Sequence, residues 1–254
     1  MPDGELGYTQ LEDISDRKAL ELSLRRLHDA QETILYVVTH DLKAPIGNIQ
    51  LLADLLQRQV DAATFVTDSA KDTAQYLALI RRACSDANKM LRDVLLLGSL
   101  EAHPLEKEPT DLGAFLAARL QVHHLAAQDK SLDLTLALPP QPANLNGDLF
   151  GRAVDNLVSN ALKFTPAGGR VTVGLQEKEG RVLLTVQDNG IGIPAALQPG
   201  LFEKFSPAAR AGVGGEAATG LGLFITGQIV QRHRGKLWVE SREGEGTCFF
   251  MDLN

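Results

Sequence analysis

The chain of 254 residues is poor in cysteine: Cys84 and Cys248 are the only two. They lie far apart with no paired spacing, which gives no metal signature and suits a reducing cytosol. Basic charge is also short, with 25 Lys and Arg against 32 Asp and Glu and a formal net charge of −7. A nucleic-acid or anionic-membrane binder needs a basic face, so both classes are disfavoured. No apolar run is long enough to span a bilayer. Met1-Pro2-Asp3-Gly4-Glu5 has neither a basic n-region nor an apolar h-region, so it is no signal peptide. The expectation is a soluble, cytoplasmic chain, whose parent could be membrane-attached. Its length allows one or two domains with a substantial core.

What is present begins with helical periodicity. Leu20, Leu24, Leu27, Ile34 and Val38 fall on steps of three and four, with Gln31 in one seam position. The register continues through Pro45, Asn48, Leu52 and Leu55 and predicts a long helix in a coiled coil or bundle. His40 sits two places past Val38, outside that seam and facing water, and Pro45 predicts a kink just below it. After a weakly patterned connection from Val60 to Asp68, a second helix carries Leu77, Ile80, Cys84, Ala87, Leu91 and Val94, fading near Gly98. Together they form an antiparallel helical hairpin with an exposed apolar stripe. Two copies paired as a four-helix bundle would bury it; intrachain packing is the alternative.

Near His103-Pro104 the heptads give way to mixed elements. A helix is expected from Pro109-Thr110-Asp111 to about Gln128, and a half-buried strand where Leu132, Leu134, Leu136 and Leu138 alternate. A helix from about Asp148 to Phe164 follows, then strands Val171-Val173-Leu175 and Val182-Leu184-Val186. A loop-rich stretch leads to a helix opened by Gly220, and two strands around Gly244-Glu245-Gly246 close the chain. The fold class is α plus α/β: the hairpin, then a two-layer α/β sandwich with a mixed sheet. The expected divisions are 1–18, an upstream remnant or linker; 19–104, the helical domain; and 105–254, the sandwich.

Three segments of the sandwich carry chemistry. Asn156, Asn160 and Lys163 share one helix face. Amide oxygens suit hard Mg²⁺ and an ammonium suits phosphate, although in isolation such a stripe is ordinary solvated surface. Asp188-Asn189-Gly190-Ile191-Gly192 follows a strand, so backbone can approach a flat ligand while the carboxylate accepts from an exocyclic amine; glycine turns are also common. Gly220-Leu221-Gly222-Leu223 lies at a helix start, where unpaired N–H groups and the dipole favour phosphate. Gly212, Gly214 and Gly215 precede it as a candidate lid, and neither the Rossmann fingerprint nor the Walker pattern occurs in these segments. His123 and His124, adjacent on a helix, make a poor metal pair; His28, His103 and His233 have no ligand-spaced neighbours, and Trp238 reads as packing.

His40-Asp41, Asn156 through Thr165, Asp188 through Pro194, Leu201 through Phe205 and Gly220 through Leu223, in that order, resemble the H, N, G1, F and G2 boxes of the sensor histidine kinases of two-component signalling. Gly244-Glu245-Gly246-Thr247 resembles the closing glycine motif, and the resemblance runs from about Lys18 to the carboxyl end. Leu11 through Lys18 looks like the last strand of a PAS domain entering its signalling helix, implying that the input domain is absent from this chain. The resemblance implies the ATP-binding sandwich of gyrase and chaperone ATPases. Asp188 would read the adenine amine with Thr247 in support, the glycines Gly190 and Gly192 would shape the base pocket, and Phe164 would pack on the base. Asn160 would ligate Mg²⁺ with Asn156 beside it, Lys163 would meet the phosphates, Gly220, Leu221, Gly222 and Leu223 would cradle them, and Lys204 would reach them from the lid region. His40 would attack the γ-phosphate in line, Asp41 would hold its other ring nitrogen, and the phosphoryl group would pass to an aspartate of a response regulator.

Two other classes fit parts of the pattern. A nucleotide-binding dimeric scaffold without phosphoryl transfer leaves the acid beside His40 unexplained, and a gyrase-like ATPase gives no reason for Thr39-His40-Asp41 at all. One departure from the family carries a prediction. Many bifunctional members have Thr or Asn four residues past the histidine, where a water is oriented for dephosphorylating the regulator; here the residue is Ala44. Regulator-phosphatase activity is therefore expected to be weak. Fast loss of phosphate from the regulator on adding purified chain without ADP would contradict this.

Overall fold

The computed structural model describes residues 17–18, 21, 43–61, 69–102, 105–178, 180–204, 206, 212–213 and 220–253. The chain divides into two compact units, Met1–Ser99 and Leu100–Asn254. The helical hairpin region contributes α1 (Lys43–Asp61) and α2 (Ser69–Ala102). The expected kink below His40 and most of the Val60–Asp68 connection lie outside the described residues.

Along α2 the covered stripe is rotated from the expected seam. Ala83, Met90 and Val94 are buried and Ile80 and Ala87 half-buried, while Leu77, Cys84 and Leu91 are exposed. The helix carries apolar residues on two adjoining faces, and a three–four pattern read from sequence merged them. Leu95 extends the open face at 65% exposure, and Ile46 and Leu51 of α1 are exposed as well. Gly98 does not end α2, which continues to Ala102. A lone helical glycine costs only about 1 kcal/mol against alanine, too little to stop an established helix. Among the described residues no helix is long and apolar enough to cross a membrane.

The second unit is the two-layer sandwich. Its elements are β1 (Glu108–Asp111), α3 (Leu112–Asp129), β2 (Asp133–Ala137), β3 (Pro142–Leu145), α4 (Gly147–Phe164), β4 (Arg170–Lys178), β5 (Arg181–Asp188), α5 (Gly222–Arg232), β6 (Lys236–Arg242) and β7 (Gly246–Leu253). Five strands form a sheet in the order β2-β4-β5-β7-β6. β2 runs parallel to β4, and the other neighbours are antiparallel. The parallel pair needs a crossover, which α4 supplies.

Period-two patterning makes the sheet half of the core. Val171, Val173 and Leu175 of β4, Val182, Leu184 and Val186 of β5, and Phe249, Met251 and Leu253 of β7 are buried. From α4, Phe150, Val154, Leu157, Val158, Ala161 and Leu162 complete it at helical spacing. Each fully buried aliphatic or aromatic side chain contributes about 1.5–3 kcal/mol, so this interface fixes where α4 presents its other face. On β6 and β7, Trp238 and Phe250 stack with centroids 5.0 Å apart.

Local chemistry sets the helix starts. Asp111 caps α3 by accepting from the backbone N–H groups of Gly113 at 3.0 Å and Ala114 at 3.3 Å. It also accepts from Gln141 N–H at 3.2 Å, which ties the small β1–β3 ladder to the same helix end. That ladder escaped sequence reading, since Glu108-Pro109-Thr110-Asp111 and Pro142-Ala143-Asn144-Leu145 show neither alternation nor β-branched enrichment. Asn146 caps α4 by accepting from Leu149 N–H at 3.0 Å.

His233, which ends α5, joins that cap to the helix layer. Its Nδ1–H donates to Ile229 O at 2.8 Å, and its Nε2 accepts from Asn146 N–H at 3.0 Å. The ring is 2% exposed and meets Phe150 edge-on. Burial pushes its pKa down, outweighing the Ile229 bond that favours the charged form. Protonation would replace the Nε2 acceptor with a donor facing Asn146 N–H. A neutral histidine of this kind supports the fold above the ordinary imidazole value of 6.5, and that support falls away as pH drops below it. Urea denaturation should show His233→Ala losing on the order of 2–4 kcal/mol at pH 7.5. The gap between wild type and variant should narrow toward pH 5; a gap independent of pH would contradict the role assigned to the ring.

Candidate functional site

The carboxyl end of β5, the last turns of α4, the first turn of α5 and the start of β7 converge on a cleft. Of the residues singled out from sequence, Asn160, Phe164, Asp188, Gly192, Leu223 and Thr247 line it together. Ala161, Ile193, Leu197, Leu201 and Phe249 complete a mostly apolar wall. Phe249 is held edge-on by Phe202 at a centroid distance of 6.4 Å.

Asp188 is the charged floor of the cleft. It is 6% exposed, and burial raises its pKa to about 6, against the opposing pull of backbone N–H groups of Gly190 and Thr247. The Gly190 bond is 2.9 Å long. One carboxylate oxygen is thereby engaged from within its own turn. Gly192 has φ +65°, and a Cβ there would collide with the carbonyl oxygen of Arg242. Only glycine lets the Asp188 loop lie so close against the end of β6.

Leu223 in the first turn of α5 also lines the cleft, and the start of that helix is fixed where α4 meets α5. Gly222 opens α5 directly against Asn156, whose Oδ1 would strike any Cβ at position 222. Asn156 Nδ2 donates to Thr226 Oγ1 at 3.1 Å, and the Thr226 hydroxyl donates onward to Gly222 O at 2.9 Å. Thr226 is fully buried and was not foreseen; a threonine inside a helix gives no sign of its partner until the packing is known. The α5 N-cap residue, Leu221, makes no side-chain cap hydrogen bond. Backbone N–H groups in the first turn of such a helix suit an anion. Leu221 itself is fully buried, so it serves that turn through its backbone, and Gly220 enters it at φ +69°.

Two cations expected at the site stand against aromatic rings. Lys163 Nζ lies 5.0 Å from the Phe164 ring centroid, and Lys204 Nζ lies 5.3 Å from that of Phe224 in the first turn of α5. Val213, beside Gly212 of the candidate lid, donates its N–H to Lys163 O at 3.1 Å. His40, Asp41, Gly214 and Gly215 lie outside the described residues. His123 pairs with Asp155 at 3.3 Å beside Arg119, away from any ligand-spaced partner among the described residues.

A second unforeseen residue is Ser241 on β6, opposite Thr247 in register. Its Oγ lies 2.8 Å from Gly246 O, 2.8 Å from Ile193 N and 2.9 Å from Thr247 Oγ1. Gln198 Nε2 donates to Ile193 O at 2.8 Å and Ser241 O at 3.0 Å, bridging the loop and the strand. A single serine near a strand end is unremarkable in sequence; the register makes it part of the site.

Comparison with known proteins agrees with this geometry. Residues 146–254 match the family described as histidine kinase-, DNA gyrase B- and HSP90-like ATPase. Residues 30–103 match the His Kinase A (phospho-acceptor) domain. The chain is 32% identical over 248 residues to the probable sensor histidine kinase TcrY of Mycobacterium tuberculosis, covering 95% of this chain and 50% of the relative. The chain thus spans about half the length of that curated relative. Among solved structures, the mycobacterial sensor histidine kinase MprB is 30% identical with a TM-score of 0.50, covering 57% of this chain and 97% of that one. Histidine kinase ThkA, solved in complex with response regulator protein TrrA, has a TM-score of 0.66 at 17% identity, covering 91% of this chain and 65% of that one.

Fold and cleft therefore define an ATPase domain of the histidine kinase, gyrase and HSP90 type, preceded by a phospho-acceptor domain. The chain belongs to the sensor histidine kinase family.

The buried carboxylate has a thermodynamic signature. Its raised pKa means that ionisation opposes folding: the cost grows as pH rises from about 4 to about 6 and then levels off. Asp188→Asn keeps an acceptor for Gly190 N–H without the charge. Above pH 7 the empty variant should be more stable than wild type by at most about 3 kcal/mol, and the advantage should vanish toward pH 4. Chemical denaturation across that range measures it, and an advantage that does not change with pH would contradict the assignment.

Proposed function

We propose that the chain is an ATP-dependent protein-histidine kinase core that phosphorylates its own His40 and passes the phosphoryl group to a response regulator. The observation that carries this reading is the buried Asp188 carboxylate in a mostly apolar cleft that Leu223, in the first turn of α5, also lines. An acceptor-only group in an apolar slot fits the exocyclic amine of adenine, with Thr247 in support and Phe164 packing on the ring. Gly190 and Gly192 shape the turn that holds the carboxylate. Asn160 faces the cleft beyond the base, and Lys163, Gly220, Leu221, Gly222 and Leu223 surround the place for the phosphate chain.

Among the described residues no cluster of three or more His, Cys, Asp or Glu side chains could hold a metal ion. The Asn160 amide oxygen fits Mg²⁺ that arrives on the nucleotide and keeps most of its other ligands as phosphate and water. Mg²⁺ held there would neutralise phosphate charge. Asn156, committed through Thr226 to Gly222, fixes α5 against α4 and so sets the distance between Asn160 and the α5 N-terminus. Lys204 would approach the phosphates from the segment before the lid.

His40 acts as the nucleophile through a neutral ring nitrogen. As the new N–P bond forms, the bond from the γ-phosphorus to the bridging oxygen breaks and ADP leaves. Asp41 holds the N–H of the other ring nitrogen and stabilises the charge that develops on the ring. Positioning and charge neutralisation supply most of the rate. ThkA was solved with a response regulator, and we assign this chain the same kind of partner, with an aspartate as the final acceptor. Two copies joined through their helical hairpins would cover the exposed face of Leu77, Leu91 and Leu95.

Incubation with γ-labelled ATP and Mg²⁺ tests the reading. Acid-labile, base-stable label should appear on wild type, vanish in His40→Gln and fall roughly a hundredfold or more in Asn160→Ala. Undiminished label on His40→Gln would refute His40 as the acceptor.

A further inference from the structure

The hydroxyl pair behind the cleft has a fixed polarity. Ser241 has a single hydroxyl hydrogen, and its Oγ faces three groups. Gly246 O, at 2.8 Å, can only accept, so the Ser241 hydrogen points there. Ile193 N–H, at 2.8 Å, can only donate, so it takes one Ser241 lone pair. In the remaining contact, 2.9 Å to Thr247 Oγ1, the donor must then be Thr247. Its proton is held away from the cleft that Thr247 lines. Only lone pairs of that oxygen are left for a ligand, beside an Asp188 carboxylate that is itself acceptor-only when ionised. Asp188 and Thr247 are register partners on β5 and β7, so the two acceptors sit side by side.

We propose that Ser241, without touching the ligand, sets nucleobase selectivity by holding the Thr247 hydroxyl as an acceptor. This rests on the reading of the cleft as an adenine-nucleotide site. A base edge carrying an amine meets complementary lone pairs, directly or through water that donates to them. A base with a carbonyl at the same place meets acceptor against acceptor. Without Ser241, the Thr247 hydroxyl rotates and donates to such a carbonyl, and the penalty falls. Ser241 is thus a positioning residue, and the Gln198 bridge to Ile193 O and Ser241 O keeps the loop donor in place.

The test is equilibrium binding to the full chain of ATP and ITP, which differ by amine against carbonyl at C6 and by a bare against a protonated N1. Wild type should favour ATP. Ser241→Ala should lower the ATP-to-ITP affinity ratio by roughly fivefold to tenfold, the scale of one hydrogen bond. Ser241→Thr, which keeps the hydroxyl, should restore it, and Ser241→Cys gives the same readout as alanine should that variant fail to fold. In a Thr247→Val background the Ser241 substitution should change the ratio no further, because the residue acts through Thr247. A ratio unchanged in Ser241→Ala, or a further change in the Thr247→Val background, would overturn the role of Ser241 while leaving nucleotide binding intact. Wild type that binds neither nucleotide would overturn both readings.

Discussion

A carboxylate in an apolar slot is costly unless something compensates it, and the sandwich is arranged around that cost at Asp188. β5 ends there because its alternating Val182, Leu184 and Val186 drive the strand into the core and leave the next inward position polar. Gly190 folds the chain back so that its N–H meets the carboxylate, and Gly192 lets the same loop lie against the end of β6. These bonds offset part of the desolvation but leave the pKa near 6. In the proposed reading, a ligand amine would relieve the remaining deficit.

The rest of the site is a matter of distance from that point. The buried face of α4 locks the helix onto the sheet, which places Phe164 and Asn160 on the cleft wall. Asn156 and Thr226 then fasten α5 to α4 at Gly222, so an anion-suited helix start is held at a set span from the charged floor. At the far end of both helices, His233 closes the same pair by joining the α5 terminus to the α4 cap.

Much of this was legible in the sequence where one side chain has one strong local consequence. Alternating leucines and valines placed the strands, and the paired asparagines the polar face of α4; the helix expected from Pro109-Thr110-Asp111 begins at Leu112, after β1. The resemblance to a kinase family then assembled the segments into one site. Cross-strand and cross-helix partners stayed hidden. Ser241 and Thr226 are small polar residues whose meaning comes from register and packing, and β1 and β3 pair without any patterning of their own. On α2 the ambiguity was of another kind: two adjoining apolar faces yield one pattern, and only the folded chain separates the covered stripe of Ala83, Met90 and Val94 from the open one of Leu77 and Leu91.

The most direct measurement is an NMR titration of the Asp188 carboxyl carbon, with and without an adenine nucleotide. The empty protein should titrate near pH 6, and the nucleotide should move the midpoint down, because a donated amine hydrogen favours the ionised form. A midpoint near 4 in the empty protein, or one that the nucleotide leaves in place, would contradict a site organised around this carboxylate.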